Sequence, residues 1–288
     1  MKKIHKAAII AAIVALFLLI LGISISEDYE SPKERLYKAI RRDDLQTVKN
    51  VIEKYPELID EYENSSLSAR IFDTSSDTPL GEACKYMKVP IIQYLVESGA
   101  DVNKLSSNVV TSYPLETVIR EGYRISSSWK ETIIYLVENG ADYSSEYYNE
   151  LIPFGIVGNI GKDDNTARMQ EVRELLEYFV ERGVTVPQSA EYVHTYGTTN
   201  VLGTAAACNQ ALACEYIIEL GVYDIDAICG SEGETALICA ARRNKGIAAT
   251  KVLLDHGADK TIKDDNGKTA YDYAIENGNT ELAELLKY

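Results

Sequence analysis

The chain of 288 residues is poor in the side chains that carry most enzyme and metal chemistry. It has three histidines, His5, His194 and His256. None stands in a His-x-x-x-His or Cys-x-x-Cys context, so no zinc centre is expected. There is no Gly-x-Ser-x-Gly elbow for a nucleophilic serine. The stretch Gly155-Ile156-Val157-Gly158-Asn159-Ile160-Gly161-Lys162 falls short of a phosphate loop: its first Gly stands one place too early, and Asp163 follows the Lys. Gly267-Lys268-Thr269 fails as well, because Ile262 stands where the first Gly belongs. Asp224-Ile225-Asp226 begins like a calcium loop, but Ile228 and Cys229 replace the required ligand and Gly. Positive charge is also scarce, with 29 Lys and Arg against 44 Asp and Glu and a formal net charge of −15. That balance argues against nucleic acid and anionic lipid surfaces as partners, since both need basic patches. Residue content thus points away from an enzyme, a cofactor, a metal or a small-molecule substrate.

What the chain does have is a phrase that recurs. Tyr94-Leu95-Val96-Glu97-Ser98-Gly99-Ala100-Asp101 returns as Tyr135-Leu136-Val137-Glu138-Asn139-Gly140-Ala141-Asp142 and as Leu253-Leu254-Asp255-His256-Gly257-Ala258-Asp259. Weaker copies run through Tyr178–Val184 and Tyr216–Val222. Apolar residues at helical spacing bury one stripe, and the Gly sits where a chain leaves a helix in a left-handed conformation. Upstream lies a second signal: Thr78-Pro79-Leu80-Gly81, Thr235-Ala236-Leu237-Ile238 and Thr269-Ala270-Tyr271-Asp272. Thr caps a helix N-terminus and Pro fits its first turn. Each unit reads as helix, turn, helix, Gly stop and extended finger. Such a unit cannot bury its own apolar face, so neighbours must stack into a solenoid.

The pattern resembles the ankyrin repeat over nearly all of 31–288, most specifically over 233–288. The spacing from Thr235 to Thr269 is 34 residues, against a family period of about 33. The resemblance implies an all-α solenoid of about seven repeats with loop or β-hairpin fingers, near 34–60, 78–103, 113–143, 152–186, 200–226, 235–262 and 269–288. Longer spacings place insertions near 123–129 and 161–167, and the third and fourth units depart furthest from the pattern. The first and last units carry polar outer faces suited to capping the stack: Leu36, Ala39, Ile40, Leu45, Val48, Val51 and Ile52 point inward in the first, and Leu282, Leu285 and Leu286 in the last.

Residues 1–26 stand apart from the solenoid. Lys2, Lys3 and Lys6 precede an uncharged run from Ala7 to Ile23, which extends to Ile25 if Ser24 is admitted. The length suits a membrane anchor through residues 7–25; the small residues at Ser24-Ile25-Ser26 suit a signal peptide cleaved near Ser26. Both readings stay open, and the positive-inside rule gives both the same orientation. Residues 27–288 would then lie outside the cytoplasmic membrane, in a periplasm or at the cell exterior, after a linker over 27–33. The three lysines of the leader carry +3, so this remainder carries −18.

The resemblance further implies a non-catalytic module that binds a protein through the finger tips and exposed first-helix ends. By position these are Arg41, Arg42, Lys85, Tyr86, Arg120, Glu121, Arg242 and Arg243. They form a mostly basic stripe, which could grip an acidic partner or simply complement helix C-termini. Tyrosines in predicted fingers, Tyr143, Tyr147, Tyr148, Tyr192, Tyr196 and Tyr223, add interface candidates. Of the five cysteines, Cys84, Cys214 and Cys239 fall at helix positions that pack inward. Cys229 falls in a finger and is expected to be exposed. Three roles follow: an interaction scaffold, an inhibitor or immunity-type protein against a basic exported toxin or enzyme, or redox chemistry at Cys229.

Overall fold

The computed structural model describes residues 30–63, 77–105, 112–122, 126–144, 152–157, 166–186, 200–244 and 246–287. The predicted anchor or signal at 1–26 lies outside them. Among the described residues no helix is long and apolar enough to cross a membrane.

The described helices come in short pairs. The first pair is α1 (Pro32–Arg41) and α2 (Leu45–Lys54), the second α3 (Pro79–Lys85) and α4 (Val89–Glu97). Next come α5 (Pro114–Thr117) and α6 (Trp129–Glu138), then α7 (152–157) and α8 (Thr166–Glu181). The C-terminal pairs are α9 (Val201–Ala207) with α10 (Ala211–Glu219), α11 (Ala236–Arg243) with α12 (Ala248–Asp255), and α13 (Ala270–Glu276) with α14 (Thr280–Leu286). First helices pack on first helices, as α1 on α3 and α9 on α11 on α13. Second helices pack on second helices, as α8 on α10 on α12. The result is an all-helical solenoid. Among the described residues the only β pairing is one isolated antiparallel bridge, Ile228 with Thr235, so the described fingers are loops with one narrow hairpin.

Local chemistry sets the helix ends. Thr78, Thr235 and Thr269 accept a hydrogen bond from the backbone N–H three residues on, as Asn200 does for α9. Second helices end at Gly99, Gly140 and Gly257, whose φ values of 95°, 91° and 89° fit a residue without Cβ. The following Ala N–H then reaches back into the helix, as Ala100 to Leu95 and Ala258 to Leu253. The sixth residue after each first-helix cap points into the stack: Tyr37, Cys84, Ile119, Ala206 and Ala241 are all buried. The last unit has no described neighbour on that side, and its counterpart Ile275 is 54% exposed.

The inward positions expected of the terminal units hold. Leu36, Ala39, Ile40, Val48, Val51, Ile52, Leu282 and Leu286 are buried, and Leu45 and Leu285 are half-buried. The third unit departs from the pattern. Tyr113 gives no side-chain cap, α5 spans four residues, and Val118–Gly122 forms a π turn. A π turn loosens the backbone ladder, and here the Val118 carbonyl accepts from Trp129 Nε1 at 2.8 Å. Gly122 leaves the space that Trp129 and Met87 fill.

Candidate binding face

The carboxyl ends of α1, α3, α5 and α11 bring the expected cations to one side of the stack. Each rests on a buried carboxylate. Arg41 donates to Glu82 through Nε and to Glu63 through Nη2, both at 2.5 Å. Lys85 reaches Asp77 at 3.1 Å and lies 3.9 Å from Glu82. Arg120 donates to Glu116 at 3.3 Å. Arg242 contacts Glu232 at 3.2 Å, and its Nε stands 2.7 Å from Glu234 Oε1. Glu82, Glu116 and Glu234 are at most 1% exposed, while the Arg41, Lys85 and Arg120 side chains keep about two fifths of their surface in water. The stripe is therefore a row of cations held over a row of buried acids, and its charge is largely compensated within the chain.

Burial disfavours the charged form of these acids. It pushes the Glu82 carboxyl above the usual carboxylate range, against the pull of Arg41. Burial likewise raises Glu234, against Arg242; neither Glu234 oxygen receives a hydrogen bond of good geometry. Gly230 makes room for that carboxylate, because a Cβ there would overlap it.

The fingers are stitched from unit to unit by aspartate and asparagine. Asp60 Oδ1 accepts from the Asp101 N–H at 3.1 Å, Asn103 Oδ1 from Asp142 at 2.7 Å, and Asp226 Oδ1 from Asp259 at 2.9 Å. The side chains of Asp101, Asp142 and Asp259 close their own turns two residues on. In the last finger Asp264 accepts from Asn266 N, Lys268 N and Tyr273 Oη. Burial alone would raise its pKa; these donors overcome it and hold it below the usual range.

The remaining expected residues scatter. Arg42 and Glu121 are exposed, and Tyr86 is 41% exposed with the Lys85 ammonium 5.9 Å from its ring centroid. Arg243 is half-buried and engaged within the chain. Tyr143 packs edge-on against Phe179 at 5.7 Å, and Tyr223 is half-buried, with its hydroxyl pushed up to about 12 chiefly by burial. These two are thus packing residues as much as contact residues. Tyr147, Tyr148, Tyr192 and Tyr196 lie outside the described residues.

Cys84, Cys214 and Cys239 are buried, as their positions indicated. Cys229 is not the exposed thiol its finger position suggested. It is fully buried, because the finger folds its sulfur against α11 and against Gly203 of α9. The hydrogen bond with Cys239, and then burial, push its pKa well above the ordinary thiol value. A buried, protonated thiol is a poor nucleophile, so redox catalysis at an exposed Cys229 is withdrawn. Among the described residues no cluster of His, Cys, Asp or Glu could hold a metal ion.

Comparison with known proteins agrees with this architecture. The family described as ankyrin repeats (3 copies) matches residues 202–288, and the single ankyrin repeat matches 76–107. SH3 and multiple ankyrin repeat domains protein 2 from Homo sapiens is 27% identical over 157 residues. That stretch covers 44% of this chain and only 8% of the relative. The crystal structure of the human ASB11 ankyrin repeat domain superposes with a TM-score of 0.60 at 22% identity, covering 88% of this chain and 97% of that one.

Proposed function

Because the chain is an ankyrin-repeat protein, we propose that it is a non-catalytic protein-binding module. Its working surface is the side formed by the first-helix ends and the fingers. The observation that carries this reading is the cation row held by buried carboxylates. Arg41, Lys85, Arg120 and Arg242 are fixed on their inner side and open on their outer side. Fixed donors lose little freedom on binding, which favours recognition over solubility as their use. Their charge is already met inside the chain, so the partner they suit presents neutral acceptors, such as backbone carbonyls and side-chain amides, and needs no strongly acidic face. Arg42, Tyr86 and Glu121 supply adjacent exposed contacts.

The basic, apolar leader supports display outside the cytoplasmic membrane, anchored through residues 7–25 or released after cleavage near Ser26. Intact mass of the native protein separates the two. The net charge of −18 beyond the leader favours a basic partner approaching by long-range steering, as an inhibitor or immunity-type protein would require.

Affinity capture from the native envelope tests the reading. One stoichiometric basic partner supports inhibition, several substoichiometric ones support scaffolding, and none counts against both. The double variant R42E/Y86A should weaken capture at least about tenfold, or roughly 1.4 kcal/mol. The outer-helix control K251E should leave it unchanged. Equal capture by all three proteins would reject this face.

A further inference from the structure

The sulfurs of Cys229 and Cys239 lie 3.6 Å apart, and both side chains are buried. They belong to one finger and the helix it leads into. The Ile228–Thr235 bridge and the bond from Cys229 N–H to the Glu234 carbonyl, 2.7 Å, fold the intervening loop back on itself. Cys239 then emerges from the first turn of α11 directly against Cys229. The adjacent unit contributes the room. Gly203 of α9 lacks a side chain where the Cys229 sulfur sits, and a Cβ there would overlap it. A disulfide is about 2.05 Å long, so the sulfurs need to close by roughly 1.5 Å, within reach of side-chain rotation.

We propose that Cys229 and Cys239 form a convertible dithiol, which oxidation joins into an intrachain disulfide locking the finger to α11. The oxidant is a small-molecule disulfide. One cysteine loses its proton to solvent and attacks a sulfur of that disulfide, expelling one thiolate and leaving a mixed disulfide. The second cysteine, also deprotonated, attacks the protein-bound sulfur and expels the other thiolate. Two thiols are oxidised and one disulfide is reduced to two thiols. Because both sulfurs are buried, exchange proceeds through opening of the finger, which is held by few backbone bonds. This is a structural cross-link and asks for no catalytic role from either cysteine.

The test uses the full chain, equilibrated in reduced and oxidised glutathione, alkylated, and cleaved after glutamate. Glu232 and Glu234 lie between the two cysteines, so a link joins two peptides, whereas Cys208 and Cys214 share one. Expected is a linked Cys229–Cys239 pair with an intact mass lower by about 2 Da, and full alkylation of Cys84, Cys208 and Cys214. C229A and C239A should each abolish the link. In the folded protein, oxidation should slow cleavage after the exposed Glu232 several-fold. A link between Cys208 and Cys214, intermolecular links only, or no link at any glutathione ratio would overturn the pair. Unchanged cleavage after Glu232 would overturn the locking. The wild-type peptide map carries the test if either variant fails to fold.

Discussion

The middle of the chain, 112–186, and its C-terminal part, 200–287, build the same stack by different means. In the C-terminal part the first helices are made of small residues. α9 reads Val-Leu-Gly-Thr-Ala-Ala-Ala, and α11 carries Ala236, Cys239, Ala240 and Ala241. Small side chains let neighbouring helices approach closely, and Asn200, Thr235 and Thr269 cap every one of them. In the middle, bulk replaces closeness. Trp129, Phe154 and Phe179 fill the seams, α5 lacks a side-chain cap, and α8 runs to 16 residues. The outer helices there are joined by charge: Lys130 to Glu174 at 2.6 Å, and Arg173 to Glu177, Glu215 and Glu219 at 2.9–3.3 Å. Residues at fixed positions make a recognisable repeat; volume can be supplied in many ways. The ankyrin family matches accordingly fall on 76–107 and 202–288 and leave the middle unmatched.

The contrast can be broken most sharply at Trp129. W129A empties the largest buried side chain and strips the Val118 carbonyl of its donor, with an expected loss of about 3–5 kcal/mol. Urea unfolding should then split into two transitions, the middle melting first; a single cooperative transition would mean that the regions are not separable. In the C-terminal part, removing a cap should matter more than removing volume suggests. T235A takes away a buried acceptor for the Ile238 N–H and should cost about 1 kcal/mol in the same assay.

The pH dependence of the C-terminal part sharpens it further. The Glu234 carboxyl is raised in the folded state, so its contribution to stability is complete below its unfolded value of 4.5 and is lost as pH rises through its folded value. E234Q, which keeps the shape and cannot ionise, should gain on the wild type as pH climbs from 4.5 towards 7. Asp264 runs the other way. Its lowered pKa gives stability that is present above 3.8 and lost as pH falls through its folded value, so D264N should lose ground above 3.8. Parallel pH curves for the two variants would contradict the assignment. The smallest effect belongs to the outer charge network. R173A should cost about 0.2–1 kcal/mol in dilute buffer and less in high salt, because the pairs are partly exposed.

The fold was legible in the primary structure wherever a position carries one chemical task. Thr78, Thr235 and Thr269 stand where a cap is needed, and Gly99, Gly140 and Gly257 where φ turns positive. The π turn at 118–122 was not legible, since its rescue by Trp129 is a packing event. Cys229 was misjudged because its burial depends on an absent side chain, that of Gly203 one unit earlier. The compensated stripe had a signal that went unused: Glu82 and Glu116 stand three and four residues before Lys85 and Arg120, on the same helix face. Its pairing of Arg41 with Glu82 across units could come only from the fold.

The most direct measurement is amide hydrogen exchange on the full chain, alone and with its captured partner. Binding through the first-helix ends and fingers predicts added protection around Arg41–Asp44, Lys85–Lys88, Arg120–Gly122 and the 224–235 finger, with the outer faces of α4, α8 and α12 unchanged. Protection gained on those outer helices instead, with the fingers unaffected, would contradict the account.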